Sequence, residues 1–157
     1  MIEIRRDRPV SPKVLPLLLR HLDMMHAASP PGSVHALDPA ELDTADVAFF
    51  TLCEDDAVLG MGAVKQIDVS HAEIKSMHVV AEARGRGLAR MLLDHLLAEA
   101  RLLGYARLSL ETGVEPVFAP ARALYQGAGF DYCAPFEGYG PDPNSVFMTR
   151  LLQDCGA

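Results

Sequence analysis

The hydrophobic pattern of the chain switches between strand-like and helix-like segments. Ile2–Arg5 predicts a short strand, and the apolar positions after Pro12 predict a helix that runs to about Met25. The segment Asp38–Glu41 combines an N-cap acid, a first-turn proline and a glutamate three residues later, which predicts a second helix ending near Thr44. The chain therefore opens with one strand and two helices.

The middle of the chain predicts the centre of a sheet. Val47–Glu54 and Val58–Asp68 are rich in strand formers and flank an Asp-Asp turn, so they predict a β-hairpin. Ala72–Val80 alternates two sets of side chains, as one strand in the centre of a sheet does. Strict alternation predicts that Glu73 lies on one face of this strand and His78 on the other.

The clearest helical periodicity follows a glycine-rich turn, and Gly104 ends it. The apolar residues at helical spacing are Leu88, Met91, Leu92, Leu96 and Leu103. The remaining predicted elements are a strand at Arg107–Glu111, a helix at Pro120–Ala128, and strands at Phe130–Cys133 and Val146–Leu151. This order of strands and helices predicts a mixed α/β sheet.

Composition narrows the class of protein. The chain has 157 residues, 50% of them hydrophobic and 22% charged, which predicts a single globular domain over residues 1–157. A formal net charge of −7 argues against a nucleic acid partner. No segment approaches the ~20 apolar residues of a membrane span and the first residues lack a signal-peptide pattern, so we expect a cytoplasmic protein with no membrane partner.

Cysteine and histidine spacing predicts no disulfide framework and no metal site. Cys53, Cys133 and Cys155 are odd in number and far apart, so we expect reduced thiols. The six histidines show no HExxH or other tight ligand spacing. Chemistry at this protein's site is therefore expected to use organic groups alone.

The segment Arg84–Ala89 predicts an anion-binding turn. It joins the end of a strand to a strong amphipathic helix, where glycines permit close backbone approach and the first N–H groups of the helix point outward. A P-loop would need a lysine followed by Ser or Thr, which is missing, and a Rossmann fingerprint would need Gly or Ala where Arg90 stands. The plain alternative is a solvated, basic start of a helix.

Two motifs and the order of elements make the chain resemble the GNAT superfamily of N-acetyltransferases over nearly its whole length. Arg84–Ala89 (RGRGLA) fits Arg/Gln-x-x-Gly-x-Gly/Ala at every fixed position, and Ala121–Phe130 fits A-x-x-L-Y-x-x-x-G-F. The chain also resembles a bacterial subgroup of small N-acetyltransferases that share its SVHAL, EIKSM, LSLETG, FAPAR and PDPNSVFM segments. The resemblance implies a GNAT fold: a mixed, mostly antiparallel sheet of about six to seven strands, flanked by about four helices and splayed between the fourth and fifth strands.

The same resemblance implies a binding site for acetyl-coenzyme A (acetyl-CoA). Residues that match the family's cofactor-binding positions would hold its diphosphate through the turn and its pantetheine through the preceding strand. These residues are Met77, His78, Val79, Arg84, Gly85, Arg86, Gly87, Leu88 and Ala89.

Two residues are implied as catalytic. Glu73 is the candidate base, since histone-acetylating members carry a glutamate at this distance before the motif, and an ion-paired glutamate is the structural alternative. Tyr125 is the candidate acid that protonates the CoA thiolate, and a packing tyrosine is its alternative. His78 is a further possible base, although the predicted alternation favours packing or cofactor contact.

The acceptor side is expected at Met24–Leu37 and Pro135–Ser145, which match the family's substrate-binding loops. His35, Glu111 and Asn144 are the candidate acceptor contacts. A small-molecule or peptide amine, including an amino acid, is the implied acceptor, and dimers are common in the family. The alternatives are a CoA-binding regulatory or interaction module without catalysis, and an enzyme that acylates oxygen or uses a longer acyl chain.

Overall fold

The computed structural model describes residues 1–152, so Cys155 lies outside the described residues. The elements in chain order are β1 (Ile2–Arg6), α1 (Leu15–Ala28), α2 (Pro39–Leu42), β2 (Val47–Glu54), β3 (Ala57–Gln66), β4 (His71–Val79), α3 (Leu88–Leu102), β5 (Arg107–Gly113), α4 (Ala119–Gly127), β6 (Asp131–Cys133) and β7 (Ser145–Leu151). The seven strands form one sheet in the order β1-β2-β3-β4-β5-β7-β6. The predicted mixed α/β fold is confirmed, with β4 at the centre.

Neighbouring strands pair antiparallel except β4 and β5, which pair parallel over three positions. The last of these positions joins Glu73 to Ser109. Because β4 continues to Val79 and β5 to Gly113 without further pairing, the two strands diverge and leave a gap in the sheet. The predicted separation between the fourth and fifth strands is confirmed.

Each face of the sheet is covered by its own hydrophobic cluster. Phe50, with Leu96 of α3 and Tyr125 of α4, belongs to one cluster, and we call this side the α3 face. Phe49, next to Phe50 in β2, packs with Leu18 of α1 on the other side, which we call the α1 face. Helices on both faces bury the central strands, as the apolar run of β2 predicts.

A β-bulge in β4 changes which side chains share a face. Met61 and Ala63, two residues apart in β3, pair with His78 and Lys75, which are three residues apart. The extra residue lies at Ser76, whose φ of 55° is in the left-handed region. Because paired residues share a face, His78 lies on the α1 face with Lys75.

The predicted placement of His78 opposite Glu73 is therefore wrong. Strict alternation holds up to Lys75 and reverses beyond the bulge, so Glu73 and His78 lie on the same face. Met77 moves to the α3 face, where it packs against the cluster that contains Ile74. No residue type in this part of the sequence announces the bulge, since serine is not selected for a positive φ.

The helix α3 begins directly after the glycine-rich turn, as predicted, and ends before Gly104. Its buried side is formed by Leu88, Leu92, Leu93, Leu96, Leu97 and Ala100. Met91 is 45% exposed and Leu103 is 51% exposed, so these two members of the predicted apolar stripe do not belong to the core. No helix within residues 1–152 has the length and apolar character needed to cross a bilayer.

Candidate active site

A cleft of about 450 Å³ opens where β4 and β5 diverge. Its walls are β4 from Glu73 to Val79, the end of β5, the start of α4, the turn before α3, and parts of α1 and the loop after it. The gap in the sheet therefore joins the α1 face to the α3 face. Small-molecule sites commonly occupy such clefts.

One end of the cleft is the glycine-rich turn. Gly85 and Gly87 have φ values of 82° and 77°, which only glycine adopts without strain, and no atom lies within 4 Å of a Cβ built on either residue. Gly87 is the N-cap of α3, so the N–H groups of the first helical turn have no partner inside the helix. This end combines open space, outward N–H groups and the positive end of a helix dipole.

The arginines of this turn have different surroundings. Arg84 and Arg90 line the cleft, together with Gly85, Leu88 and Ala89. Arg86 instead forms two hydrogen bonds with Glu54, at 3.1 and 2.7 Å, and does not line the cleft. Its guanidinium holds the turn against β2. Arg90 pairs with Asp94 at 3.0 Å, and Arg84 adds positive charge beside the cleft.

Tyr125 of α4 lies between the two ends of the cleft. It is 7% exposed, and its hydroxyl donates a weak hydrogen bond to the Met77 sulfur at 3.8 Å. Burial, together with the charge of Glu111, raises the pKa of Tyr125 to about 12. The hydroxyl is therefore protonated at neutral pH. Its hydrogen bond to the Met77 sulfur is weak, so a stronger acceptor can replace that sulfur.

Met77, His78 and Val79, the residues predicted to contact the cofactor, all line the cleft. His78 contacts His21 of α1 through their Nδ1 atoms at 3.1 Å. Burial is the main cause that lowers the pKa of His78 to about 4 and that of His21 to about 3. Both rings are neutral at pH 7, and they hold α1 against β4.

The opposite end of the cleft contains a buried polar network around Glu73. Glu73 is 5% exposed, and its Oε2 atom accepts a hydrogen bond from the Tyr139 hydroxyl at 2.5 Å. The Lys75 ammonium lies 3.2 Å from the same oxygen and also donates to the Tyr139 hydroxyl at 2.6 Å. A third Lys75 bond, at 3.1 Å, reaches the His35 carbonyl. The network ties β4 to the loop after α1 and to the loop between β6 and β7.

Glu111 of β5 is the second carboxylate that lines the cleft. Its Oε2 atom accepts a hydrogen bond from the Ser145 hydroxyl at 2.7 Å. Burial raises the pKa of the Glu111 carboxyl, and the nearby charge of Glu73 adds to this effect against the opposing influence of Ser145, His35 and Lys75. A carboxyl with a raised pKa in a cleft is a candidate for proton transfer.

The two other candidate acceptor contacts differ in position. His35 lines the cleft, and its ring lies edge-on to Tyr139 with centroids 5.0 Å apart. Asn144 does not line the cleft, because its side chain donates to the Ser33 hydroxyl at 3.3 Å. This bond connects the two loops on the acceptor side, so Asn144 holds the loops together rather than facing the cleft.

Sequence reasoning did not select three residues that shape the site. Lys75 and Ser76 lie in β4, and His21 lies in α1. Lys75 could have been noticed, because a lysine two residues from a glutamate in a buried strand requires a charged partner. The Ser76 hydroxyl is buried without a hydrogen-bond partner in the described part of the chain, and its positive φ depends on the bulge. Neither the burial of the Ser76 hydroxyl nor its positive φ has a signal in the local sequence.

Comparison with known proteins points to one family. The model of the acetyltransferase (GNAT) family matches residues 18–130. The uncharacterized N-acetyltransferase YsnE of Bacillus subtilis is 45% identical over 151 residues, covering 96% of this chain and 100% of YsnE. The IAA acetyltransferase of Azospirillum brasilense is 36% identical over 152 residues, covering 96% of this chain and 98% of that protein.

A solved structure shows the same fold. A Klebsiella pneumoniae protein named as an acyl-CoA N-acyltransferase superposes with a TM-score of 0.80 and is 28% identical. The match covers 98% of this chain and 99% of the other. The gap between β4 and β5 thus occurs in a chain whose whole length follows a known acyltransferase architecture.

We predict that Tyr139→Phe lowers the free energy of unfolding by about 1–3 kcal/mol, because Glu73 and Lys75 each lose a buried hydrogen bond while the ring keeps its packing. Urea unfolding followed by circular dichroism measures the change. Tyr132→Phe is the matched control, since Tyr132 is 52% exposed and its change is expected within about 0.5 kcal/mol. Equal stability of the Tyr139 variant and the wild type would contradict a structural role for the network.

Proposed function

The chain belongs to the GNAT acetyltransferase family and is an acyltransferase, and we propose that it transfers an acetyl group from acetyl-CoA to the amine of a small molecule or peptide. The transfer occurs by direct attack while both substrates are bound. The observation that carries this proposal is the cleft between β4 and β5, with the glycine-rich turn and Arg84 at one end, Glu73 and Glu111 at the other, and the Tyr125 hydroxyl beside Met77.

The residues at the turn fit acetyl-CoA in shape and charge. From Ile74 onward, the edge of β4 that faces β5 has no paired strand, so its backbone groups are available to the amides of pantetheine. Arg84 and the N–H groups that follow Gly87 suit a diphosphate, and the space beside both glycines is open. Acetyl-CoA supplies the activated thioester, and residues 84–89 hold and orient its phosphate groups.

The acid and the acceptor occupy different parts of the cleft. Tyr125, on the α3 face, donates its hydroxyl proton to the departing sulfur of CoA. In the present structure the same hydroxyl donates to the Met77 sulfur instead. Glu73 and Glu111 line the end that the α1 face closes, where His35 and the aromatic loop between β6 and β7 lie. An amine enters there, and a carboxylate removes the proton that keeps it from attacking.

Release of CoA thiol from acetyl-CoA in the presence of a set of candidate acceptors tests this function. The set contains 2-phenylethylamine, alkyl diamines, free amino acids, short peptides with a free N-terminus, and IAA, the compound named for the A. brasilense relative. We expect turnover with at least one acceptor and formation of the acetylated product, identified by mass spectrometry. Binding of acetyl-CoA without thiol release from any acceptor would contradict catalysis and favour the CoA-binding module.

We predict that Gly87→Leu raises the Kd for acetyl-CoA at least about tenfold, because a side chain at this position occupies the open space beside the helix start. Isothermal titration calorimetry measures the affinity. Gly104→Leu is the matched control: its φ of 88° imposes the same backbone strain, but Gly104 lies at the far end of α3. Unchanged affinity in the Gly87 variant would contradict phosphate binding at the turn.

We predict that Tyr125→Phe leaves the Kd for acetyl-CoA unchanged and lowers kcat about 10²-fold, because the variant keeps the ring but cannot donate a proton. With a pKa of about 12, the phenol stays protonated through the neutral range, so this residue should produce no fall in wild-type activity between neutral and mildly alkaline pH. Tyr105→Phe, outside the cleft, is the control. Wild-type turnover by the Tyr125 variant would remove the acid role.

A further inference from the structure

Glu73 and Glu111 approach the cleft from opposite sides on the same face of the sheet. Glu73 pairs with Ser109 at the last position before the strands diverge, and Glu111 lies two residues beyond Ser109 in β5. Because side chains two apart in a strand share a face, both carboxylates lie on the α1 face beside the gap. An amine that reaches the gap from this face meets both of them.

Glu73 is already engaged with partners inside the protein. The Lys75 ammonium at 3.2 Å balances its charge, and the Tyr139 hydroxyl at 2.5 Å donates to the same oxygen. Lys75 in turn uses its remaining donors on Tyr139 and on the His35 carbonyl. A carboxylate that accepts a proton from the amine would break this buried ion pair, and removing one charge of such a pair is strongly unfavourable.

Glu111 has no such counter-ion. Within residues 1–152 no cationic side chain forms a salt bridge with it, and its one hydrogen bond comes from the neutral hydroxyl of Ser145. The ionisable groups that act on it from the surrounding elements are Glu73 and Lys75 of β4, His35 of the loop after α1, Tyr139 of the loop before β7 and Tyr125 of α4. Taking up a proton relieves its unfavourable burial as an anion and its repulsion from Glu73.

Glu111 and Tyr125 both line the cleft, Glu111 from β5 on the α1 face and Tyr125 from α4 on the α3 face. Tyr125 belongs to the cluster on the α3 face, yet the charge of Glu111 contributes to the raised pKa of its hydroxyl, so the two groups are close enough to interact through the cleft. With a base on one side of the cleft and an acid on the other, the acetyl carbonyl carbon can lie between them.

We propose that Glu111 of β5, and not Glu73 of β4, is the residue that takes the proton from the attacking amine. This proposal rests on the proposed function. The acceptor arrives as R–NH3⁺, and the Glu111 carboxylate takes one proton to give the neutral amine. The amine nitrogen forms a bond to the carbonyl carbon of the acetyl group, and the bond between that carbon and the CoA sulfur breaks. Tyr125 gives its proton to the sulfur and regains one from the nitrogen, and Glu111 releases the first proton to solvent.

Glu73 then has a positioning role. Its network with Lys75 and Tyr139 holds the loop between β6 and β7 over the acceptor end of the cleft. Ser145, at the end of that loop, is the residue that donates to Glu111. Loss of Glu73 should therefore act mainly on acceptor binding, and loss of Glu111 on the chemical step.

The test compares Glu111→Gln with the wild type on two acceptors, 2-phenylethylamine and 2,2,2-trifluoroethylamine. The first amine is protonated at neutral pH and needs a base, whereas the second is already neutral. We expect Glu111→Gln to lower kcat about 10²- to 10⁴-fold with 2-phenylethylamine. With trifluoroethylamine the loss should be at most about threefold, since no proton has to leave before attack. Glu111→Asp should recover part of the rate.

The pH dependence gives a second readout. In the wild type, kcat with 2-phenylethylamine should fall as pH drops through the raised pKa of Glu111, because the protonated carboxyl cannot accept a proton. In Glu111→Gln the limb should move to higher pH, because the remaining rate then follows deprotonation of the free amine, whose pKa is about 10. In Glu73→Gln the limb should stay where it is in the wild type, and the main change should be a higher KM for the amine. Glu137→Gln is the control for the amide substitution, since Glu137 is exposed on the same loop and outside the cleft.

Two results would overturn the proposal. One is a kcat for Glu111→Gln within about threefold of the wild type with 2-phenylethylamine, and the other is an equal loss with both amines, which indicates positioning only. Calorimetry with acetyl-CoA verifies that each variant is folded and binds the donor. A wild type that binds acetyl-CoA but acetylates neither amine, nor any member of the wider set, would instead overturn the proposed function and this inference with it.

Discussion

The site depends on one constraint: two parallel strands that pair over three positions and then separate. Separation inside a sheet leaves backbone N–H and C=O groups without strand partners, and such groups are costly unless something else bonds to them. Here the bulge at Ser76 bends β4 directly beyond its last pair with β5. This divergence produces the unpaired strand edge, the cleft through the sheet and the access from both faces. The helices on each face form the outer walls of that cleft.

Charge is distributed along the cleft in a way that the net charge of −7 does not reveal. Arg84 and Arg90 stand at the helix start, while Glu73 and Glu111 stand at the other end. A cleft in a low-dielectric protein focuses such local fields, so this charge distribution favours an anionic group at one end and a cationic group at the other. Arg86 belongs to the same motif, yet its pairing with Glu54 turns it into a structural residue. A motif match therefore identifies the turn but does not distribute roles among its side chains.

Features set by local chemistry were readable from the sequence. The capping box of Asp38 and Glu41 is present as predicted, and α3 begins at the glycine turn. What the sequence did not reveal depends on partners distant along the chain: Lys75 and Tyr139 are 64 residues apart, and Asn144 and Ser33 are 111 apart. His78 was assigned to the wrong face for another reason. A single bulge moves every later side chain of the strand to the opposite face, and nothing in the local sequence marks Ser76 as a bulge position. Periodicity therefore identified β4 as a strand but gave the wrong face for its second half.

The two carboxylates of the cleft have different surroundings, and this difference is the basis of the two roles that we propose for them. Placing two like charges near each other in a buried site raises the proton affinity of at least one of them. The Lys75 ammonium lies 3.2 Å from Glu73 Oε2, so Glu73 has a direct counter-ion. Glu111 receives only the weaker, longer-range benefit of the same lysine, together with the full effect of its own burial. Lys75 thus pairs with the carboxylate that holds the loop and leaves Glu111 without a direct counter-ion, although it need not touch either substrate.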